Sequence, residues 1–215
     1  MFDGTANTVA VLVLLLEFGM LRSALLRAQV RLYAAQSFTL SVLAAVVAAG
    51  RGIPELYALA GLSFLLKVIV VPAVVYMLLR DASEEIAGSG ALGVASEVLV
   101  SIAVAGFGFF AVGVLGVQSR VLPVAALSLS VAVVLVAFVL MILRRDVVSQ
   151  AIGFFSLENG VSLASLVVAA GMPLILEVAF LFDLLVAVVV FGVLMRTHHR
   201  RSRSLSTESL DRLRG

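Results

Sequence analysis

The sequence predicts an all-α integral membrane protein with about seven transmembrane helices. Hydrophobic residues make up 62% of its 215 residues and charged residues only 13%, whereas soluble domains are about half apolar and about a quarter charged. The apolar residues form continuous runs, each near the roughly 20 residues that a helix needs to cross the hydrocarbon core. Because these runs do not alternate with polar residues, a transmembrane β-barrel is excluded.

Seven segments reach the required length, and short connections make each helix an antiparallel neighbour of the next. They cover residues 5–22, 30–50, 54–79, 91–117, 121–143, 147–170 and 173–195. A change of composition near residue 118, at "GVQSRVLP", divides a four-helix N-terminal part (1–117) from a three-helix part (118–196). A basic tail, predicted to be cytoplasmic, covers residues 197–215.

The arginines predict the orientation of the chain, because cytoplasmic loops are enriched in Lys and Arg. With seven crossings, only Arg51 and Arg120 fall on one side of the membrane. The arginines of the tail fall on the other side, together with Arg22, Arg27, Arg31, Arg80, Arg144 and Arg145. The N-terminus is therefore expected outside and the C-terminus in the cytoplasm.

The residue types that bind most metals in proteins are missing from the predicted membrane segments. The sequence contains no cysteine, and its two histidines, His198 and His199, lie together in the basic tail. Iron–sulfur ligation by thiolates, a cysteine zinc site and a histidine-ligated metal or haem within the membrane are therefore excluded. No cofactor is expected in this chain.

Ionisable side chains inside the predicted membrane segments are the candidate functional residues. Such groups are costly in a bilayer, and by default they indicate an ion or proton path. A rise of about 1.5 Å per residue places three of them, Lys67, Glu158 and Asp183, near the midplane. Nearer the ends of their segments are Glu17, Glu97 and Glu177.

The helix around Glu158 has two distinct faces at helical spacing. Its polar face carries Gln150, Phe154, Glu158, Ser162 and Ser165, and Asn159 and Gly160 directly follow the acid. Its small-residue face suits close packing against another helix and carries Ser149, Gly153, Ser156, Gly160 and Ala164. In the third segment, Pro72 follows Lys67 and removes a backbone hydrogen bond, which tends to kink a helix.

These residues also allow less specific interpretations. Glu158 or Asp183 could pair with Lys67, or with a neighbouring subunit, only to fix packing. Glu17, Glu97 and Glu177 lie close enough to helix ends to extend their carboxylates toward the interface. A stand-alone secondary transporter is a further alternative, although such proteins usually contain inverted repeats and broken helices at matching places. The basic stretch is juxtamembrane, which does not support nucleic-acid binding.

Several stretches resemble hydrogenase-4 component E, a membrane subunit of group 4 [NiFe] hydrogenases and formate hydrogenlyase-type complexes. They are "RLYAAQS", "LLKVIVVPAVV", "LRRDVVSQAIGFFSLENG", "GMPLILE", "FDLLVAVVVFG" and "SLDRLRG", so the resemblance covers most of the chain. Residues from about 121 onward also resemble the K-type subunit of complex I and the C-type subunit of multisubunit cation/proton antiporters. In the complex I subunit the acid stands where this chain has Phe155, about one turn before Glu158.

The resemblance implies a non-catalytic subunit that carries carboxylates on a lateral path for protons or sodium ions. It implies partners of three kinds: antiporter-like large membrane subunits, a membrane anchor of the quinone-site type, and a peripheral hydrogenase-like arm with Ni–Fe and Fe–S centres. It also implies a bacterial- or archaeal-type cytoplasmic membrane. By this resemblance Glu158 and Asp183 would be relay carboxylates, with Lys67 as their electrostatic partner.

Overall fold

The computed structural model is a bundle of long helices, and it describes residues 2–81, 86–87, 93–115, 123–169, 188–190 and 192–193. The elements are α1 (Phe2–Arg22), α2 (Leu26–Arg51), α3 (Pro54–Ser63), a π-helical segment (Phe64–Val70), α4 (Val71–Asp81), α5 (Val94–Leu115), α6 (Val124–Leu143) and α7 (Val147–Ala169). Among these residues every regular element is helical, which confirms the predicted all-α class. Since α3, the π-helical segment and α4 are continuous, the described residues contain six helices long and apolar enough to cross a membrane.

The first six predicted segments agree with these helices within a few residues, with one larger difference. The second helix begins at Leu26 rather than near residue 30, because no glycine or proline interrupts residues 26–30 and the side chains of Leu26, Gln29 and Val30 are buried. The seventh predicted segment, 173–195, lies mostly outside the described residues. Glu177, Asp183 and the tail 197–215 lie outside them entirely.

Hydrogen bonds show that several helix ends meet at one end of the bundle. Arg144, which directly follows α6, donates from its Nη2 to the carbonyl of Leu21 in the last turn of α1. The C-terminal ends of α6 and α1 therefore lie side by side. The Tyr76 hydroxyl of α4 lies 3.3 Å from the carbonyl of Arg27 at the start of α2. The Ala87 amide donates to the Ala24 carbonyl at 2.8 Å, which joins two connections at that end. Consecutive spans are therefore antiparallel, as predicted.

The arginines that determine the predicted orientation lie at this same end of the bundle. Arg22 and Arg80 end their helices, Arg27 and Arg31 lie in the first turns of α2, and Arg144 and Arg145 separate α6 from α7. Their clustering agrees with the positive-inside pattern. That this end faces the cytoplasm stays a prediction.

The distribution of polarity is that of a membrane protein. Large apolar side chains cover the outside, and on α5 Phe110 is 74% and Val114 88% exposed. The interior contains polar side chains from several helices, including Gln29, Gln36 and Ser101, each with 0% exposure. Because lipid is apolar, an exposed phenylalanine costs nothing there, whereas a polar side chain needs a partner inside the bundle.

Helices α6 and α7 approach each other closely at two glycines of α7. A Cβ added at Gly153 would lie 2.7 Å from Met141 Cγ, and one at Gly160 would lie 2.7 Å from Val134 Cγ2. These positions confirm the predicted small-residue face at Gly153 and Gly160, which allows the backbones of two membrane helices to come together. Ser149 and Ser156 belong to the same stripe in the sequence, but their hydroxyls bond to α2 instead.

Candidate functional site: buried polar clusters around helix α7

The first buried cluster, called the Lys67 cluster, consists of Lys67, Glu158 and Ser162. Lys67 Nζ lies 3.7 Å from Glu158 Oε2 and donates to Ser162 Oγ at 3.0 Å. The Ser162 hydroxyl in turn donates to the Glu158 carbonyl at 2.8 Å. The ammonium is enclosed, since the Lys67 side chain is 3% exposed and that of Glu158 13%.

Both charged residues of this pair lie at the centres of their membrane spans. Glu158 is the middle residue of the 23-residue helix α7, and Lys67 is the middle residue of the 27-residue span Pro54–Arg80. A charge at that depth is costly in lipid, and the opposite charge offsets part of the cost. The sequence-based hypothesis that Lys67 is the electrostatic partner of Glu158 therefore has the geometry it requires.

The backbone around Lys67 is a π-helix rather than an α-helix. The Val71 amide donates to the carbonyl of Leu66, five residues earlier, and Pro72 follows directly. A proline lacks the amide that would continue the α-helical pattern, so the predicted disturbance at Pro72 takes the form of a wider turn. Lys67 is the one buried residue of the π-helical segment, and short π-helical insertions occur frequently at functional sites.

The second buried cluster, called the Glu17 cluster, joins α1, α2 and α7 through Glu17, Gln36, Ser37, Ser156 and Asn159. Gln36 Nε2 donates to Glu17 Oε2 at 2.9 Å and to the Val13 carbonyl at 3.2 Å. Gln36 Oε1 accepts from Asn159 Nδ2 at 2.9 Å. Asn159 Nδ2 also donates to Ser37 Oγ at 2.8 Å.

The Ser156 hydroxyl completes the Glu17 cluster. It is hydrogen-bonded to Glu17 Oε2 and lies 2.9 Å from Gln36 Oε1. All five side chains of the cluster have 0% exposure. Glu17 thus does not extend its carboxylate to the interface, as one interpretation of the sequence allowed. Instead, amide and hydroxyl donors hold the carboxyl inside the bundle.

Two glutamine–serine pairs fix α2 and α7 in parallel register. Gln29 Oε1 accepts from Ser149 Oγ at 2.9 Å, and Gln36 and Ser156 repeat this contact seven residues further along both helices. Seven residues are about two helical turns, so both pairs lie on the same face of each helix. Glu17, on α1, contacts the second of these pairs, because its carboxylate is bonded to Gln36 and Ser156.

The third cluster lies at the arginine-rich end, where Glu97 of α5 approaches Arg144. Arg144 Nη2 lies 3.9 Å from Glu97 Oε2, and both side chains are less than 10% exposed. Two residues after Arg144, Asp146 directly precedes α7, and its Oδ1 accepts from the Ser149 amide at 2.7 Å. This bond satisfies an amide that the first turn of a helix leaves without an intrahelical partner.

The structure therefore distributes the predicted site residues over separate clusters. It brings Lys67, Glu158 and Ser162 together, places Glu17 with Asn159, and pairs Glu97 with Arg144. Gly160 packs against α6. Glu177 and Asp183 lie outside the described residues.

Sequence reasoning missed most of the uncharged members of these clusters. It did not single out Gln29, Gln36 or Ser37, and it assigned Ser156 to a packing face only. A signal was present, since Gln29 and Gln36 stand seven residues apart, as do Ser149 and Ser156. That spacing marks a polar seam between two helices.

The chemistry available in these clusters is that of proton and ion exchange. Carboxyl groups, an amine and hydroxyls can hold or pass a proton, and amides can hold these groups in place by hydrogen bonds. Within the part of the chain that the structure describes, no group of three or more His, Cys, Asp or Glu residues could hold a metal ion. The described residues of the site therefore contain groups that can exchange protons, and they contain no cluster of that kind for a metal ion.

Comparison with known proteins supports the suspected relationship at low identity. The chain is 24% identical over 214 residues to hydrogenase-4 component E of Escherichia coli, and the match covers 97% of each chain. The corresponding protein of Shigella flexneri matches to the same extent. An uncharacterized protein of Mycobacterium tuberculosis, Rv0085, is 42% identical over 89 residues, which are 41% of this chain and 39% of that relative.

No protein-family model matches the chain, and no solved structure matches it. The full-length similarity, together with six helices suited to crossing a membrane among the residues that the structure describes, indicates a multi-pass membrane protein distantly similar to hydrogenase-4 component E. The similarity of the C-terminal part to subunits of complex I and of cation/proton antiporters stays a prediction.

Proposed function

We propose that this chain is a non-catalytic membrane-arm subunit of a redox-coupled, ion-translocating complex of the hydrogenase-4 or complex I type. The observation that carries the proposal is the buried ion pair between Lys67 and Glu158, whose charges lie 3.7 Å apart at the centres of two membrane spans. The full-length similarity to hydrogenase-4 component E supports the class of complex.

The Lys67–Glu158 pair is suited to an ion path because its charge can be rearranged by one proton. A proton that reaches the Glu158 carboxylate removes the negative charge and leaves the Lys67 ammonium without its counter-charge at 3.7 Å. Coulomb interactions are strong in the low-dielectric interior of a bundle. Protonation of Glu158 therefore changes the affinity of neighbouring sites for positive charge, which is the coupling that a lateral path needs.

The other four candidate acidic residues are assigned to the same path in this proposal. Glu17 and Glu97 would contribute at or toward the arginine-rich end, and Asp183 and Glu177 from the seventh predicted segment. The redox centres, including Ni–Fe and Fe–S groups, would belong to a peripheral arm. Antiporter-like large subunits and a membrane anchor of the quinone-site type would be the other partners, in a bacterial or archaeal cytoplasmic membrane.

Replacement of Glu158 by glutamine tests the role of the carboxylate. In native membrane vesicles that contain the assembled complex, we expect E158Q to retain redox turnover while coupled ion uptake falls by about tenfold or more, as is typical when a proton-transferring group is lost. The matched control is Glu55→Gln, the same chemical change at an exposed residue of α3. Normal coupled uptake by an assembled E158Q complex would contradict the proposal.

A scaffold role is the second candidate, and the same ion pair favours it. Buried pairs between helices can serve only to fix packing and register. If so, E158Q would change the amount of assembled complex while each assembled complex transported normally. The ratio of ion uptake to assembled complex therefore separates the two functions.

A further inference from the structure

Two neighbouring membrane segments present apolar stripes to the outside, and each stripe ends in arginine. The π-helical segment and α4 contribute one stripe, whose exposed residues are Leu65, Ile69, Ala73, Met77 and Arg80. On α2, the exposed residues between positions 27 and 46 recur at the same spacing, and they are Arg27, Arg31, Ala35, Phe38, Val42 and Val46. Residues three or four positions apart share one side of a helix. Both segments are therefore apolar on that side except at the arginine-rich end.

Two contacts show that these antiparallel segments lie side by side over the depth of one leaflet. The Tyr76 hydroxyl lies 3.3 Å from the Arg27 carbonyl, and the ring centroids of Phe38 and Phe64 are 6.1 Å apart. From Arg27 to Phe38, α2 rises by about 17 Å, and half of the hydrocarbon thickness of a bilayer is about 15 Å. The two stripes from the arginines to the Phe38–Phe64 contact, called the α2–α4 face, therefore extend through about one leaflet.

Two guanidinium groups at the outer end of the α2–α4 face have no partner among the described residues. Arg31 and Arg80 are exposed, and within the described part of the chain their side chains make no hydrogen bond or ion pair. Arg31 lies one turn after Arg27, and Arg80 lies one turn after Tyr76, so the two arginines flank the contact between Tyr76 and Arg27. Arginine side chains near the ends of membrane helices extend to the interface. Both guanidiniums can therefore reach the level of the lipid headgroups.

This combination of groups fits an anionic phospholipid. The guanidinium group is a planar fork of donors that suits phosphate oxygens, and a tyrosine such as Tyr76 is typical of the membrane interface. Deeper in the leaflet the face presents large apolar side chains to acyl chains, with Ile69 48% and Phe38 50% exposed. A membrane helix of another protein would cover the apolar part, but it would need an acid at headgroup depth to pair with the arginines. A phospholipid always carries its phosphate at that depth.

We propose that the α2–α4 face binds an anionic phospholipid of the leaflet at the arginine-rich end. The phosphate accepts hydrogen bonds from Arg31 and Arg80, and the acyl chains follow the two apolar stripes as far as Phe38 and Phe64. The bound lipid supplies a negative charge to two arginines that have no counter-charge among the described residues. This site shares no residue with the buried clusters around α7, so the inference does not depend on the proposed function.

Native mass spectrometry of the full chain in detergent, titrated with single lipids, tests the site. Dioleoylphosphatidylglycerol carries a net negative charge and dioleoylphosphatidylcholine carries none, whereas their acyl chains are identical. We expect the phosphatidylglycerol to bind more tightly. An arginine near an anionic headgroup changes the affinity by about fivefold, so Arg31→Gln should weaken phosphatidylglycerol binding by about fivefold and Arg31→Gln/Arg80→Gln by about 25-fold. Binding of the phosphatidylcholine should change much less.

Arg22→Gln is the matched control, because Arg22 is an exposed arginine at the same end of the bundle but belongs to α1. It removes the same charge outside the α2–α4 face and should leave the affinity nearly unchanged. Phe38→Ala tests the acyl contact and should weaken the binding of both lipids, since it removes apolar surface that the chains cover. Glycerol 3-phosphate, which has the phosphate but no acyl chains, should not bind detectably.

Four results would overturn the inference. Equal affinities for the two lipids would exclude recognition of the headgroup charge, and equal losses in Arg22→Gln and Arg31→Gln would show only a general attraction of charge. Tight binding of glycerol 3-phosphate would assign the arginines to soluble phosphates. An unchanged affinity in Arg31→Gln/Arg80→Gln would show that the lipid binds elsewhere and would leave this face to a protein partner.

Discussion

Replacement of Lys67 with methionine is expected to lower the free energy of unfolding by about 3–5 kcal/mol, the usual cost of removing one partner from a buried ion pair. Methionine preserves most of the length and volume of the side chain but removes the ammonium. The Glu158 carboxylate then loses the cation that lies 3.7 Å away, and Ser162 Oγ loses a donor. Denaturant unfolding of the chain in detergent micelles measures the change.

The double variant Lys67→Met/Glu158→Gln is the control for this prediction. It removes both charges, so we expect it to be less destabilised than Lys67→Met alone, because a neutral amide is less costly to bury than an unpaired carboxylate. Lys67 is also the only lysine in the sequence. Additive effects of the two substitutions would mean that the pair contributes no interaction energy.

Replacement of Gln36 with methionine is expected to destabilise the protein by about 2–4 kcal/mol, because several buried groups lose partners at once. Gln36 donates to Glu17 and to the Val13 carbonyl, and its oxygen accepts from Asn159 and lies near the Ser156 hydroxyl. The substitution keeps the apolar volume and removes these four contacts. Thermal unfolding in detergent, followed by circular dichroism, gives the measurement.

Gln150→Met is the matched control for Gln36→Met. Gln150 lies on α7, is partly buried and donates to the Arg144 carbonyl at 2.9 Å, so its loss should cost about 1 kcal/mol or less. Equal destabilisation by the two substitutions would show that the Glu17 cluster has no special importance for stability.

The six described spans were predictable because each depends on local sequence alone. A run of about 20 apolar residues specifies a membrane span whatever its neighbours are, and the arginines placed the connections correctly at a common end. The start of α2 showed the largest difference between predicted and observed helix bounds, because Arg27 and Arg31 suggested a polar connection before residue 30. In the structure both are exposed residues on the first turns of a continuous helix.

The candidate site was predictable only in part. The charges of Lys67 and Glu158 are conspicuous in apolar segments, so the sequence identified them. The partners of Glu17 were not identified, because glutamine and serine are common in loops and on helix surfaces, and only the packing of α1, α2 and α7 brings them together. The pairing of Glu97 with Arg144 likewise depends on how α5 and α6 pack, which local sequence does not specify.

The most direct test of the proposed function is to identify what co-purifies with this chain. The chain would be extracted from its native membrane in mild detergent, purified by a tag, and its associated proteins identified by mass spectrometry. We expect antiporter-like large membrane subunits together with a hydrogenase- or complex I-type redox arm. Recovery of the chain alone, intact and monodisperse, would contradict the assignment to a redox-coupled membrane complex.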